Sequence, residues 1–294
     1  MNYLFAATIE EAVELLTRYE GRARIIAGGT DLMQALRDHA VAPEALVDIT
    51  RIDGLDRVEV VGDWVQVGAA VTFAVLRDSP LVRERAQCLA RAAASVGAAP
   101  IQAVATWAGN IVQAMPAADG GVAAVSLDAE ARVVDADGAR WVTVEALYRA
   151  AKVSALDPTR QLVSHLRFAM PPAASGTGWG RIGRRPSLTL PILNCAAAVR
   201  LGSPGETVGA VSLALGPAAA LPFRARGAEA FLVGRLLDDQ AIEHAAILAQ
   251  AECHVRSNPL RASREYRAAM IPVLVRQALT EARDQARVRA SSVW

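Results

Sequence analysis

The side chains and turns of this chain that could do chemistry are those that would hold an anion, not those that would cleave a bond. Arg24-Ile25-Ile26-Ala27-Gly28-Gly29-Thr30-Asp31-Leu32 reads as a short β-branched strand ended by two glycines. Thr30 and Asp31 are helix-capping residue types ahead of a helical stretch from Leu32 to Arg37. A strand end, a glycine turn and a helix start bring several backbone N–H groups to one point, which suits a phosphate. The same residues also make an ordinary strand–turn–helix corner, and this loop alone does not separate the two. A second small-residue stretch, Ala105-Thr106-Trp107-Ala108-Gly109-Asn110-Ile111, would let a backbone approach a ligand and offers Thr106 and Asn110 as hydrogen-bonding side chains. Asp119 follows after Pro116-Ala117-Ala118. A buried turn accounts for this stretch equally well. Taken together, the two loops could share one pyrophosphate, leaving Asp31 or Asp119 for hydroxyls.

Gly178-Trp179-Gly180-Arg181-Ile182-Gly183 matches the G-x-G-x-x-G pattern of dinucleotide sites, but its context is wrong. No apolar strand precedes it, and Pro186 and Pro191 interrupt the helix that should follow. The clustered Arg181, Arg184 and Arg185 read as a solvated face that could also reach a phosphate or an aromatic ring edge bidentately. His39, His165, His244 and His254 are isolated from one another, with His244 and His254 read as surface or packing residues. The arginines of the last helix are expected to face solvent or another subunit. No Ser or Cys lies in a nucleophile motif, so no catalytic residue and no metal ligand is assigned.

The elements that must position the two loops follow from periodicity. Thr8-Ile9-Glu10-Glu11 is a capping box, starting a helix over 9–19 with Ala12, Leu15, Leu16 and Tyr19 on its apolar face. A strand over 24–27, a helix to His39 and a strand over 45–49 complete a βαβ-type unit with parallel strands. Hairpins are expected at Val58–Val61 with Trp64–Val67 across Gly62-Asp63, and at Ala131–Asp135 with Arg140–Val144 across Asp137-Gly138. Between them lie helices over 72–78 and 81–96, then a loop through Gly97, Pro100 and Gly109 to Pro116 and Gly120-Gly121. Leu162–Phe168 is a strand closed by Pro171-Pro172. Residues 173–178 read as a linker. Ile192–Leu201 and Val208–Leu215 read as strands joined by a Gly202–Gly205 turn, followed by helices over 226–233, 239–252 and 263–287. Pro272 should kink the last helix or mark its first turns.

The chain has 294 residues, 53% hydrophobic and 21% charged, which is globular composition. A net charge of +1 gives no basic footprint for nucleic acid, and no apolar run is long enough to span a bilayer. The N-terminus lacks a signal-peptide pattern. Cys88, Cys195 and Cys253 are widely spaced and odd in number, so a reduced, cytoplasmic protein is expected.

With these loops in place, the chain resembles the FAD-binding medium subunit of the molybdenum hydroxylases, the xanthine and carbon monoxide dehydrogenase family. Ala27–Leu32 resembles the family's first FAD loop and Thr106–Asn110 its second, usually Thr-Ile-Gly-Gly-Asn. Leu215-Gly216-Pro217 and Arg261–Arg267 resemble its C-terminal signatures. The resemblance implies an α+β fold of the vanillyl-alcohol oxidase (PCMH) type, with two α+β subdomains (1–55 and 56–172) and a C-terminal domain (173–294) of a small antiparallel sheet and helices. It implies FAD contacts from Ile26, Ala27, Gly28, Gly29, Thr30, Asp31 and Leu32 in the first loop. From the second it implies Thr106, Trp107, Ala108, Gly109 and Asn110, together with Asp119. Leu162 and Arg181 would flank the flavin ring, with Val96 in the same region. It further implies large molybdopterin-binding and small [2Fe-2S] partner subunits in a dimer of heterotrimers, with this chain passing electrons through FAD to an external acceptor. A stand-alone FAD oxidoreductase, or a scaffold subunit that has lost FAD, are the alternatives. Ala108 stands where a glycine is usual, and a left-handed backbone there would cost about 1–2 kcal/mol. Gln102-Ala103 replaces the usual Arg-Asn.

Overall fold

The computed structural model describes residues 1–202 and 207–291. The chain starts with β1 (Asn2–Phe5), α1 (Ile9–Arg18), β2 (Ala23–Ile26), α2 (Leu32–Arg37) and β3 (Ala45–Asp48), and its three strands form a parallel sheet in the order β1-β3-β2. The expected βαβ unit is present and is extended by β1, a four-residue, largely exposed strand with no pattern to announce it. The Thr8 hydroxyl accepts the Glu11 N–H at 3.0 Å, while the Glu11 carboxylate reaches back to the N–H of Ala7 at 2.6 Å. Parallel neighbours need crossovers, and α1 and α2 supply them. α2 ends at Arg37 rather than at His39, which takes φ +55°.

Next come β4 (Val58–Val61), β5 (Trp64–Gly68), α3 (Phe73–Asp78), α4 (Pro80–Arg85), α5 (Gln87–Ser95), α6 (Ala99–Gln102), α7 (Trp107–Val112) and α8 (Asp119–Ser126). They are followed by β6 (Glu130–Asp135), β7 (Gly138–Thr143), β8 (Tyr148–Ala150), β9 (Val153–Ser154) and β10 (Leu162–Ala169). The five-stranded sheet runs β4-β5-β10-β6-β7, antiparallel throughout, with both expected hairpins in register: Val61 opposite Trp64, Asp135 opposite Gly138. Two expectations change here. The helix over 81–96 is two helices, broken at Ala86 (φ −143°, ψ 64°). The loop from Gly97 to Gly121 carries α6, α7 and α8, whose short runs of Gly, Pro and Ala have too little periodicity to read as helices.

The rest is β11 (Ser175–Ile182), β12 (Leu193–Leu201), β13 (Val208–Gly216), β14 (Phe223–Arg224), α9 (Arg226–Leu232), α10 (Asp239–Glu252) and α11 (Arg264–Ser291). The four strands form an antiparallel sheet in that order, against which α11 packs. Residues 173–178 are therefore not a linker: β11 begins at Ser175 and absorbs the G-x-G-x-x-G motif. Its glycines face α11, where a Cβ on Gly178 would stand 1.9 Å from the carbonyl oxygen of Ala278. The expected Gly202–Gly205 turn lies, beyond Gly202, outside the described residues. Pro272 sits well inside α11, and the Ala268 carbonyl that lacks its N–H partner accepts Gln250 Nε2 at 2.7 Å. The arginines of α11 do not all face solvent, since Arg267 is only 5% exposed.

Candidate functional site

The first loop lies directly on the chain that leads into the second. A Cβ on Gly28 would sit 1.9 Å from the Val104 carbonyl oxygen and 2.9 Å from the Ala105 Cα, so only glycine permits this approach. Gly29 takes φ +67°, the left-handed region. The Gly29 carbonyl accepts the Met33 N–H at 2.9 Å, which starts α2, yet the Asp31 side chain makes no cap. The expected capping role of Thr30 and Asp31 is thus not used. Instead the Thr30 side chain hydrogen-bonds the Asp31 carboxyl. Among the described residues, the N–H groups of Gly28, Gly29, Thr30 and Asp31 donate to no protein acceptor. Four consecutive unpaired donors at the mouth of a cavity form an anion nest.

The second loop is rigidly mounted. Phe73 donates its N–H to the Ala105 carbonyl at 3.0 Å, and Trp107 donates to Val71 at 3.3 Å. The Thr106 hydroxyl caps α7 by accepting the Gly109 N–H at 3.1 Å. Ala108 lies within α7 and is not among the residues with positive φ, so the strain expected there is absent.

Two cavities meet at the junction of the loops. One, of about 400 Å³, is lined by residues 25–32 and by Val96, Thr106, Gly109, Asn110 and Asp119. The other, of about 540 Å³, shares Ala27, Asp31, Leu32, Thr106 and Gly109 with it and adds Ala108, Lys152 and Leu162. The result is a two-lobed cleft in which Gly28, Gly29 and Thr30 line the first lobe and Asp31 lines both. The Asn110 Oδ1 on the first cavity has no partner in the protein. Of the residues read from sequence, 26–32, Val96, Thr106, Gly109, Asn110 and Asp119 come together on the first cavity, and Ala108 and Leu162 on the second. Trp107 and Arg181 line neither. Trp107 is fully buried and donates Nε1 to the Gly120 carbonyl at 2.9 Å.

Arg181 acts behind the wall. Its Nε is 3.1 Å from Asp119 and its Nη2 donates to the Thr189 carbonyl at 2.6 Å, so it holds two wall residues in place. Asn194 Nδ2 also donates to Asp119, at 2.7 Å. Burial raises the Asp119 carboxyl above the usual range, opposed by Arg181 and Asn194. The reading of Arg181 as part of a solvated face is thereby corrected: it is the inner partner of a buried ion pair. Desolvation likewise raises Asp31, opposed by the Thr30 hydrogen bond and by Lys152. The first cavity has no Lys or Arg on its wall among the described residues, leaving the backbone nest and Arg24 and Lys152 of the second cavity to balance a bound anion.

Three contributors were not among the site residues read from sequence. Gln102 is buried, accepts Arg77 Nη1 at 2.7 Å and donates to the carbonyls of Ala94 and Val96 at 3.0 and 2.9 Å, fixing the segment that places Val96 and Gly97 on the wall. Lys152 and the Thr189-Leu190 pair reach the cleft only through the fold.

Comparison with known proteins agrees with this architecture along the whole chain. The model of the FAD binding domain in molybdopterin dehydrogenase matches residues 1–171, and that of the CO dehydrogenase flavoprotein C-terminal domain matches residues 181–282. The carbon monoxide dehydrogenase medium chain of Hydrogenophaga pseudoflava is 28% identical over 96% of this chain and 96% of its own. The xanthine dehydrogenase FAD-binding subunit of Escherichia coli O157:H7 is 27% identical over 96% and 95%. A solved carbon monoxide dehydrogenase from H. pseudoflava, lacking the Mo-pyranopterin moiety of its molybdenum cofactor, superposes with a TM-score of 0.89 at 27% identity, covering 97% of this chain and 98% of that one. The chain belongs to the molybdopterin dehydrogenase family, as its FAD-binding medium subunit.

Proposed function

We propose that this chain is the electron-transfer flavoprotein of a multisubunit molybdenum-containing dehydrogenase, working with a large molybdopterin-binding subunit and a small [2Fe-2S] subunit in a cytoplasmic dimer of heterotrimers. Residues 1–55 and 56–172 are the two FAD-binding subdomains and 173–294 the C-terminal flavoprotein domain. The observation that carries the reading is the run of unpaired N–H groups from Gly28 to Asp31 facing the mounted second loop across a two-lobed cleft. Bound FAD supplies the chemistry of accepting and releasing electrons. The chain's own residues bind and orient: the nest holds the pyrophosphate, Asp31 and Asp119 accept hydroxyl hydrogen bonds, and Ile26, Val96 and Leu162 exclude water. Arg181 keeps Asp119 in position, and Trp107 packs beneath the second loop. Among the described residues no helix is long and apolar enough to cross a membrane.

The scaffold alternative drew on Ala108 and Gln102-Ala103. Ala108 is unstrained in α7 and Gln102 is a structural tie, so neither argues for loss of the cofactor. Titrating the purified chain with FAD, read by flavin fluorescence, is expected to show saturable binding of one FAD per chain. Co-expression with a large and a small subunit should give a coloured complex containing FAD and the partner cofactors. A chain that binds no FAD sinks the reading, and substrate-dependent flavin reduction by the isolated chain would replace it with the stand-alone enzyme.

A further inference from the structure

Beyond the cleft, the described part of the structure holds one charge arrangement that the cofactor reading does not use. A separate cavity of about 360 Å³ lies where the loop before α11 meets residues 115–117 and the Pro217–Ala219 turn. Arg256, Arg261 and Arg267 line it together with His254, Ser257 and Asn258, and no acidic residue is on its wall. Arg267 is the anomaly. It is 5% exposed, its Nε has no partner, and its one side-chain hydrogen bond is a long 3.4 Å contact from Nη1 to the Pro217 carbonyl. The other buried arginines of the fold are paired: Arg181 with Asp119, and Arg224 with Glu229 and Asp128. Burial and the neighbouring Arg261 and Arg256 push the Arg267 guanidinium below its ordinary pKa, with no carboxylate acting against them.

A buried guanidinium with two like charges beside it and no counter-ion is costly, and the cost is relieved when an anion enters. The loop is built to hold that geometry. His254 donates its N–H to the Ala218 carbonyl at 2.9 Å, Arg264 donates to Ser257 Oγ at 2.9 Å, and Arg184 Nη1 ties the Leu260 carbonyl at 2.7 Å. Guanidinium forks match tetrahedral oxyanions, and the side chains of Ser257 and Asn258 add neutral polar groups on the same wall.

We propose that this cavity is an oxyanion-binding site, taking a phosphate group that is either free or carried by a nucleotide. Met115 and Ala117 line it and also line the first cavity of the cleft, so an anion held here stands next to one lobe of the proposed FAD site. The site rests on its own residues and stands whether or not the chain binds FAD.

The test is calorimetric titration of the full chain with inorganic phosphate and, separately, with AMP, each with and without saturating FAD. The expected result is saturable binding of at least one probe that persists with FAD present. In the Arg256→Gln/Arg261→Gln variant it should weaken by about tenfold or more, since both side chains are less buried than Arg267 and their loss leaves the fold intact. Arg267→Gln should weaken it further, and circular dichroism checks that variant's folding. AMP binding much more tightly than phosphate identifies a nucleotide-borne group, and comparable affinities a free one. Absence of saturable binding by either probe overturns the proposal. Binding that FAD displaces, or that is indifferent to the arginine substitutions, also overturns it, because that anion occupies the loop nest. FAD binding is read by its own fluorescence, so its failure is seen separately.

Discussion

The chain has two glycine-rich segments that look alike in sequence and do opposite things. In β11, Gly176 and Gly178 let another backbone come close: their Cβ atoms would lie 2.1 and 1.9 Å from carbonyl oxygens of α11. At Gly28 the corresponding distance, to Val104, is also 1.9 Å. Close approach is therefore common to both, and the difference lies in where the N–H groups go. Along β11 the ladder with β12 runs the whole strand, and α11 covers outward donors, with Thr177 donating to Gln285 Oε1 at 2.7 Å and Trp179 to Glu281 Oε2 at 3.1 Å. From Gly28 to Asp31 no acceptor among the described residues takes them. A glycine motif becomes a binding site when its donors are left over, and a packing seam when they are consumed.

The largest effect that would break this contrast is on stability. Gly178→Ala puts a methyl group into the Ala278 carbonyl between a strand and a 28-residue helix, neither of which can move alone. It should cost at least about 3 kcal/mol in chemical denaturation, at the upper end of overpacking penalties. A variant with an unchanged midpoint would show that β11 and α11 are not in the contact described. Gly28→Ala makes a clash of the same size, but the first loop, whose N–H groups from Gly28 to Asp31 are unpaired, can move off the mounted second loop. Its stability loss should stay below about 2 kcal/mol, while FAD affinity falls by about 100-fold because the nest opens. If both substitutions act through stability alone, the two glycine segments are one kind of feature.

Much of this was legible in the chain and some was not, for physical reasons. The two loops could be read because their signals are local: a β-branched run ended by two glycines, and a small-residue stretch that offers Thr106 and Asn110 as hydrogen-bonding side chains. The hairpins at Gly62 and Asp137-Gly138 are local for the same reason. β11 was not legible, because glycine is disfavoured in strands and only the approach of α11, about a hundred residues later, makes it the fitting residue. α7 and α8 are held by burial rather than by propensity, with every residue of α8 buried, and α6 is a single turn in which only Gln102 is buried. Arg181 looked like one of three surface arginines, and its pairing with Asp119 exists only once β11 pairs with β12 and α8 packs on β12. The same holds for Gln102, which departs from the family pattern yet fixes the Val96 segment.

A smaller effect sharpens the contrast within the first loop. Gly29 needs its positive φ, whereas the nearest atoms to a Cβ there are the Ile26 Cδ1 and the Met33 Cγ, on side chains that can shift, at 3.2 and 3.3 Å. Gly29→Ala should therefore cost only the backbone term, about 1–2 kcal/mol. Gly29→Asn should recover part of it, because Asn tolerates the left-handed region. Equal losses for Ala and Asn, measured by thermal denaturation, would point to crowding instead of φ as the constraint.

The smallest expected effect falls on Ala108, where sequence and structure disagree most directly. If the residue were held in a left-handed backbone, Ala108→Gly would relieve strain, stabilising the protein and tightening FAD. In α7 it has an ordinary helical backbone, so glycine there should destabilise by about 0.5–1 kcal/mol through lost helix propensity. The methyl group on the second cavity is small and apolar, and its removal leaves the Gly28–Asp31 donors and the Thr106 cap untouched. FAD affinity should then change by less than about threefold, under 1 kcal/mol. A tenfold gain in affinity together with a higher melting temperature would mean that the second loop, like Gly29 in the first, is built around a conformation that only glycine adopts freely.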